Sequence, residues 1–144
     1  MNRREVFKVA GITAIAALTV NAQASEKIDN EKNRLIMKPK DASNMTKGEL
    51  KHTPEITIKD KDAKGYTSVE INIGQAGIVH PSTPDHWIDY ISLYSDDKLI
   101  GKSVLEAEIS RGTASFSVKL DSVKTLKAES GCNLHGIWSS SIKV

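Results

Sequence analysis

From Pro54 onward the apolar residues of this chain recur at every second position in short stretches, and none of those stretches carries a helical stripe. Ile56 and Ile58 form one such pair, and Ile91 and Leu93 another. Val69, Ile71 and Ile73 alternate with Ser68, Glu70 and Asn72, and Phe116, Val118 and Leu120 repeat the pattern. Alternation at period two puts one set of side chains on one face of an extended chain, which is the signature of a half-buried strand. Turn chemistry separates the stretches: Lys64-Gly65, Gly74 to Gly77, Asp96-Asp97, Arg111-Gly112 and Ser130-Gly131. Val104 to Ile109 could be helical by propensity, but it lies between strands and reads as a strand or an irregular connection. The expectation is an all-β protein, an immunoglobulin-like antiparallel β-sandwich of about seven strands.

The N-terminus is of another kind. Asn2-Arg3-Arg4-Glu5-Val6-Phe7-Lys8 leads into an apolar run from Val9 to Val20, closed by Ala22-Gln23-Ala24. A basic lead, an apolar run too short to span a bilayer as a mature helix, and an Ala-x-Ala cleavage site define an export signal over residues 1–24, with the mature chain starting at Ser25. The paired arginines suit the twin-arginine route, although Phe7 stands one place later than that pattern has it. Residues 25–48 are polar, without a sustained period, and read as a tether; residues 49–144 form the domain. The expected location is the periplasm, with no membrane association once the leader is gone.

Charge excludes one class of partner. Loss of the leader removes Arg3, Arg4, Lys8 and Glu5, which takes the basic count from 20 to 17 and the acidic count from 18 to 17. The mature chain is neutral and has no basic run interleaved with aromatics, so nucleic acid is not an expected partner.

The four histidines and the single cysteine fall in three short clusters: His52 beside Lys51, His80 with His86 in a loop containing Pro81 and Pro84, and Cys132 with His135. Taken one at a time, each has an ordinary reading, as a surface or loop histidine or a small buried hydrophobe. Together they make four imidazoles and a thiol at strand ends, where loops held by a rigid sandwich can converge. One cysteine cannot form an internal disulfide, so in an exported protein Cys132 is a free thiol, an intermolecular bridge or a metal ligand; His135 three residues on favours the last. Structural zinc closes at four ligands, whereas five of mixed softness favour a redox metal, iron or copper.

Lys51-His52-Thr53-Pro54, His80-Pro81 with His86, and Cys132-Asn133-Leu134-His135-Gly136 match, in order and spacing, motifs of the superoxide reductases. The chain resembles the neelaredoxins and the iron domain of the desulfoferrodoxins from about Glu49 to Trp138. This resemblance implies one iron per chain, bound by His52, His80, His86 and His135 in a plane and by Cys132 on the axis. It implies one-electron reduction of superoxide to hydrogen peroxide, with electrons from a separate small redox protein. In this scheme Lys51 attracts the anionic substrate and holds a proton-donating water; otherwise it is a solvated surface lysine. Desulfoferrodoxins with a second iron centre carry four further cysteines, so this chain resembles the one-iron type, whose relatives commonly associate through their sandwiches.

The chain departs from the family at one place. The usual order is Glu-Lys-His, and here Glu49-Leu50-Lys51-His52 puts Leu50 where the glutamate stands. If the segment is extended, a shift of one residue turns Glu49 to the opposite face, away from the iron unless the loop bulges. Two other readings stay open: a non-catalytic iron module for electron transfer or redox sensing, and a copper protein. Four histidines exceed what a blue-copper site uses.

Overall fold

A computed structural model describes residues 34–144. The proposed export signal, and the tether up to residue 33, lie outside the described residues. Among the described residues one short helix, α1 (Lys47–His52), precedes seven strands. These are β1 (Pro54–Lys61), β2 (Thr67–Ile73), β3 (Ile88–Ser95), β4 (Lys98–Val104), β5 (Thr113–Val118), β6 (Thr125–Cys132) and β7 (Gly136–Lys143). They form a three-stranded sheet in the order β1-β2-β5 and a four-stranded sheet in the order β4-β3-β6-β7. Every pairing of strands is antiparallel. The expected all-β sandwich is what the chain forms. Among the described residues no helix is long and apolar enough to cross a membrane.

The core lies where the period-two pattern puts it. Val69, Ile71 and Ile73 of β2 are buried and meet Ile88, Ile91 and Leu93 of β3 and Leu126 and Ala128 of β6. The alternation is complete in β2, a central strand whose Ser68, Glu70 and Asn72 are only half-buried. Each such aliphatic side chain removed from water contributes about 1.5–3 kcal/mol. At the sheet edges the pattern weakens. In β1 Ile56 packs against the core while Ile58 is exposed, because the register shifts between Ile58 and Lys61 and the strand has a neighbour on one side only. Val104 ends β4 and the chain then passes through turns to residue 110, an irregular connection.

Two segments outside the strands carry the chain to the site. Leu35 to Met37, in the stretch read as a tether, lies against the start of β7: Ile36 bridges Ile137 in parallel, and Met37 N–H donates to the Ile137 carbonyl at 2.8 Å. The loop after β2 begins at Gly74, whose φ of +118° suits glycine and where a Cβ would run into the Ile78 carbonyl. It is tied back to α1 by Gln75 N–H to the Leu50 carbonyl at 2.9 Å, and it ends with His80 N–H on the Ile73 carbonyl at 3.1 Å.

Candidate metal centre

Each candidate ligand is held by a local device. Thr46 caps α1: its hydroxyl accepts from Glu49 N–H at 3.2 Å, and the Glu49 carboxylate accepts Thr46 N–H at 2.8 Å, a reciprocal capping box. The helix then delivers His52, at its last position, into the interior. This corrects the extended reading of Glu49 to His52. On a helix Leu50, two residues before His52, falls on the far side, whereas Glu49, three before it, is a neighbour. Glu49 nevertheless turns back, since its other oxygen accepts Lys40 N–H at 2.9 Å. Those backbone donors hold its carboxyl below the usual carboxylate range.

His52 Nδ1–H donates to the Gly48 carbonyl at 2.6 Å, and His80 Nδ1–H to the Pro81 carbonyl at 2.8 Å. Both bonds fix the tautomer that leaves the Nε2 lone pair free. The Nε2 atoms then turn inward. His80 Nε2 is buried with no hydrogen-bond partner, which for a polar atom requires an explanation.

The rings of His52, His80, His86 and His135 close a circuit in which each stands beside the next. Neighbouring centroids are 4.8, 4.6, 4.8 and 4.8 Å apart in that order, and each ring is turned 73–75° from the next. Across the circuit, His52 and His86 are 6.0 Å apart. His135 presents Nδ1, which lies 3.1 Å from His52 Nε2, 3.2 Å from His86 Nε2 and 3.5 Å from Cys132 Sγ. The binding atoms of His52, His80, His86 and Cys132 lie within 4.8 Å of one another. Nitrogens bonded to one ion at about 2.1 Å and at right angles to each other sit roughly 3 Å apart. A single N–H of His135 cannot satisfy three such neighbours. Converging lone pairs, one of them orphaned, fit a metal ion.

Burial tunes these groups. Loss of water lowers the pKa of His52 to about 4 and that of His80 to about 3, so both are neutral and able to ligate at neutral pH. His86 is also lowered, first by burial and then by the charges of His135 and Lys51. Burial pushes the Cys132 thiol up, against the pull of the Leu134 and His135 backbone N–H groups. Lys51 is half-buried and stands close enough for its charge to act on both His52 and His86. His52, His80 and Cys132 are buried, while His135 is exposed.

Two supporting residues escaped the sequence reading. Asn133 Oδ1 accepts Trp87 N–H at 2.8 Å and its Nδ2–H donates to the Asp85 carbonyl at 2.8 Å, so that it brackets His86 on both sides. Trp138 stacks on His52 with 5.3 Å between centroids, and its Nε1–H donates to the His135 carbonyl at 2.9 Å. The Asn of the Cys-Asn-x-His turn was visible in the sequence, but its targets in the loop before β3 were not. All six predicted positions, Lys51, His52, His80, His86, Cys132 and His135, gather at this one end of the sandwich.

Comparison with known proteins gives the family. The family model described as desulfoferrodoxin matches residues 44–141. A superoxide reductase of Pyrococcus abyssi is 31% identical over 107 residues, covering 68% of this chain and 90% of that protein. Neelaredoxin of Megalodesulfovibrio gigas is 32% identical over 110 residues, covering 63% and 84%. Among solved structures, a superoxide reductase (1Fe-SOR) from Giardia intestinalis superposes with a TM-score of 0.56 at 29% identity, covering 65% of this chain and 98% of that one. With its sandwich, its motifs and a family match over most of its length, the chain belongs to the desulfoferrodoxin family.

Proposed function

We propose that the chain is an exported one-iron superoxide reductase, in which His52, His80, His86, His135 and Cys132 hold the iron. The observation that carries this reading is the closed circuit of four imidazoles with the Cys132 sulfur beside it and the His80 Nε2 lone pair otherwise unused. When bound, iron supplies reversible one-electron chemistry. Superoxide takes up one electron and two protons and leaves as hydrogen peroxide.

The protein's own residues set the conditions for that exchange. Lys51 places a positive charge beside His52 and His86, which draws in an anion and can orient a proton-bearing water. Cys132, shielded from water and steadied by the N–H groups of Leu134 and His135, is the soft, electron-rich donor of the set. Glu49 is occupied in capping α1 and is not among the residues that would hold the iron. The leader over residues 1–24 supports release outside the cytoplasm by the twin-arginine route, while Leu35 to Met37, paired with β7, and α1 from Lys47 count with the domain and not with a tether.

Product stoichiometry tests the reading. With a reductant present, the iron-loaded protein should yield one hydrogen peroxide for each superoxide consumed, whereas dismutation yields one for every two. Slow consumption at the spontaneous rate would mark a non-catalytic iron module, and copper in the purified protein would overturn the metal assignment.

A further inference from the structure

The site has an outer wall that the chemistry above leaves without a role. His135 reaches the surface inside a groove of about 310 Å³ lined by Leu35, Met37, Leu134 and Trp138. Leu35 is 58% exposed, Met37 36% and Leu134 39%, so large apolar side chains surround the outward edge of a ring whose inward nitrogen faces the metal centre. Clustered exposed apolar groups on a small domain mark an interaction surface. This one joins directly to a redox centre.

The segment that supplies one wall of the groove is basic. One wall, residues 34–40, contains Arg34, Lys38 and Lys40 and no acid; the other, residues 133–139, contains no acid either. Arg34 is engaged with Asp89 at 3.7 Å and Lys40 lies beside Glu49, while Lys38, next in the chain to the groove-lining Met37, is exposed. Lys51 does not line the groove.

We infer that this groove is the docking surface for the electron donor, an acidic one-electron protein with an apolar patch around its own cofactor, and that the electron crosses through the exposed edge of His135. The inference rests on the reading of the chain as a superoxide reductase. One electron leaves the partner's cofactor and reduces ferric iron to ferrous; no bond is made and no proton moves. Electron transfer weakens steeply with distance, and His135 is the exposed ring of the set, with apolar contact and complementary charge around it.

The probe is a plant-type [2Fe–2S] ferredoxin, which is acidic and, at roughly −400 mV, a strong enough reductant. Reduction of the ferric protein by ferredoxin should slow about tenfold in Lys38→Glu and in Leu35→Asp and lose most of its salt dependence. Reduction by ascorbate and the reaction of the ferrous protein with superoxide should be unchanged in both variants. In the zinc-loaded protein, amide NMR shifts on titration with oxidised ferredoxin should fall on Leu35, Lys38 and Leu134. Equal ferredoxin rates in all three proteins, shifts on another face, or no reduction of the wild type by ferredoxin would overturn the docking surface. A stable dimer that Leu35→Asp dissociates would assign the groove to a second copy and overturn it too. Failure of the wild type to consume superoxide would instead overturn the reductase reading, and the ferredoxin arms would still report on the surface.

Discussion

The two halves of the metal centre are built differently. His52, His80 and Cys132 are sealed in, with second nitrogens or sulfur met by backbone groups, whereas His86 and His135 sit toward solvent and are steadied through Asn133 and Trp138. The inner half is fixed by the sandwich: α1 and the loop after β2 are hydrogen-bonded to each other, and Cys132 is part of the core. The outer half rides on a turn and a proline-rich loop. Buried ligands set which metal binds and its electronics, while open ones leave room for an anion and for a partner. One site thus combines rigidity with access.

The difference between the halves can be broken by mutation. His80→Ala should have the largest effect: it removes an enclosed ligand and leaves a void, costing about 2–4 kcal/mol of stability in the metal-free protein and at least 100-fold in iron affinity. His135→Ala should also cost iron but leave the metal-free melting temperature nearly unchanged, since the ring is exposed. Metal analysis paired with thermal unfolding checks both, and equal stability losses would erase the distinction.

Acid should act on the inner half first. Unfolded imidazoles titrate near 6.5, while folded His52 and His80 resist protonation down to about 4 and about 3. Above the unfolded value neither state is protonated on these residues and their contribution is flat. Below it the unfolded chain binds protons that the folded one refuses, so the stability of the metal-free protein should fall as pH drops from about 6.5 toward about 3. Denaturant unfolding across that window reads the effect, and its removal in a His52→Gln, His80→Gln double variant would locate it.

Lys51→Ala probes the open side. The reaction with superoxide should slow by about tenfold and lose salt dependence, with iron content unchanged. Equal pulse-radiolysis rates would reject the steering role.

The smallest effect concerns Glu49. Because its carboxylate caps α1, Glu49→Gln should fold normally, since glutamine also completes a capping box, and should leave the ferric absorption spectrum unaltered. A shifted spectrum would mean that Glu49 leaves its cap to reach the iron.

Much of this was legible in the sequence, and the gaps have physical causes. Period-two runs such as Val69-Ile71-Ile73 fixed strand faces wherever both neighbours were strands, but Ile58, on a bulged edge, kept the pattern without the burial. The clustered histidines identified the site because ligands need proximity that chance rarely provides. Helix α1 was missed since six residues are too few to display a period, although Thr46-x-x-Glu49 was a readable start signal. That miss matters, because helix and strand put Leu50 and Glu49 on different faces. Exposure of His135 within an apolar groove could not be read at all. It depends on Leu35 and Met37, about a hundred residues earlier, pairing with β7.

The visible spectrum of the oxidised, iron-loaded protein tests most directly whether Cys132 and the four histidines share one iron. The wild type should contain one iron per chain and show a thiolate-to-iron charge-transfer band, and Cys132→Ser should keep the fold but lose that band. An unchanged spectrum in Cys132→Ser, at equal iron content, would contradict thiolate ligation and with it the metal centre described for this end of the sandwich.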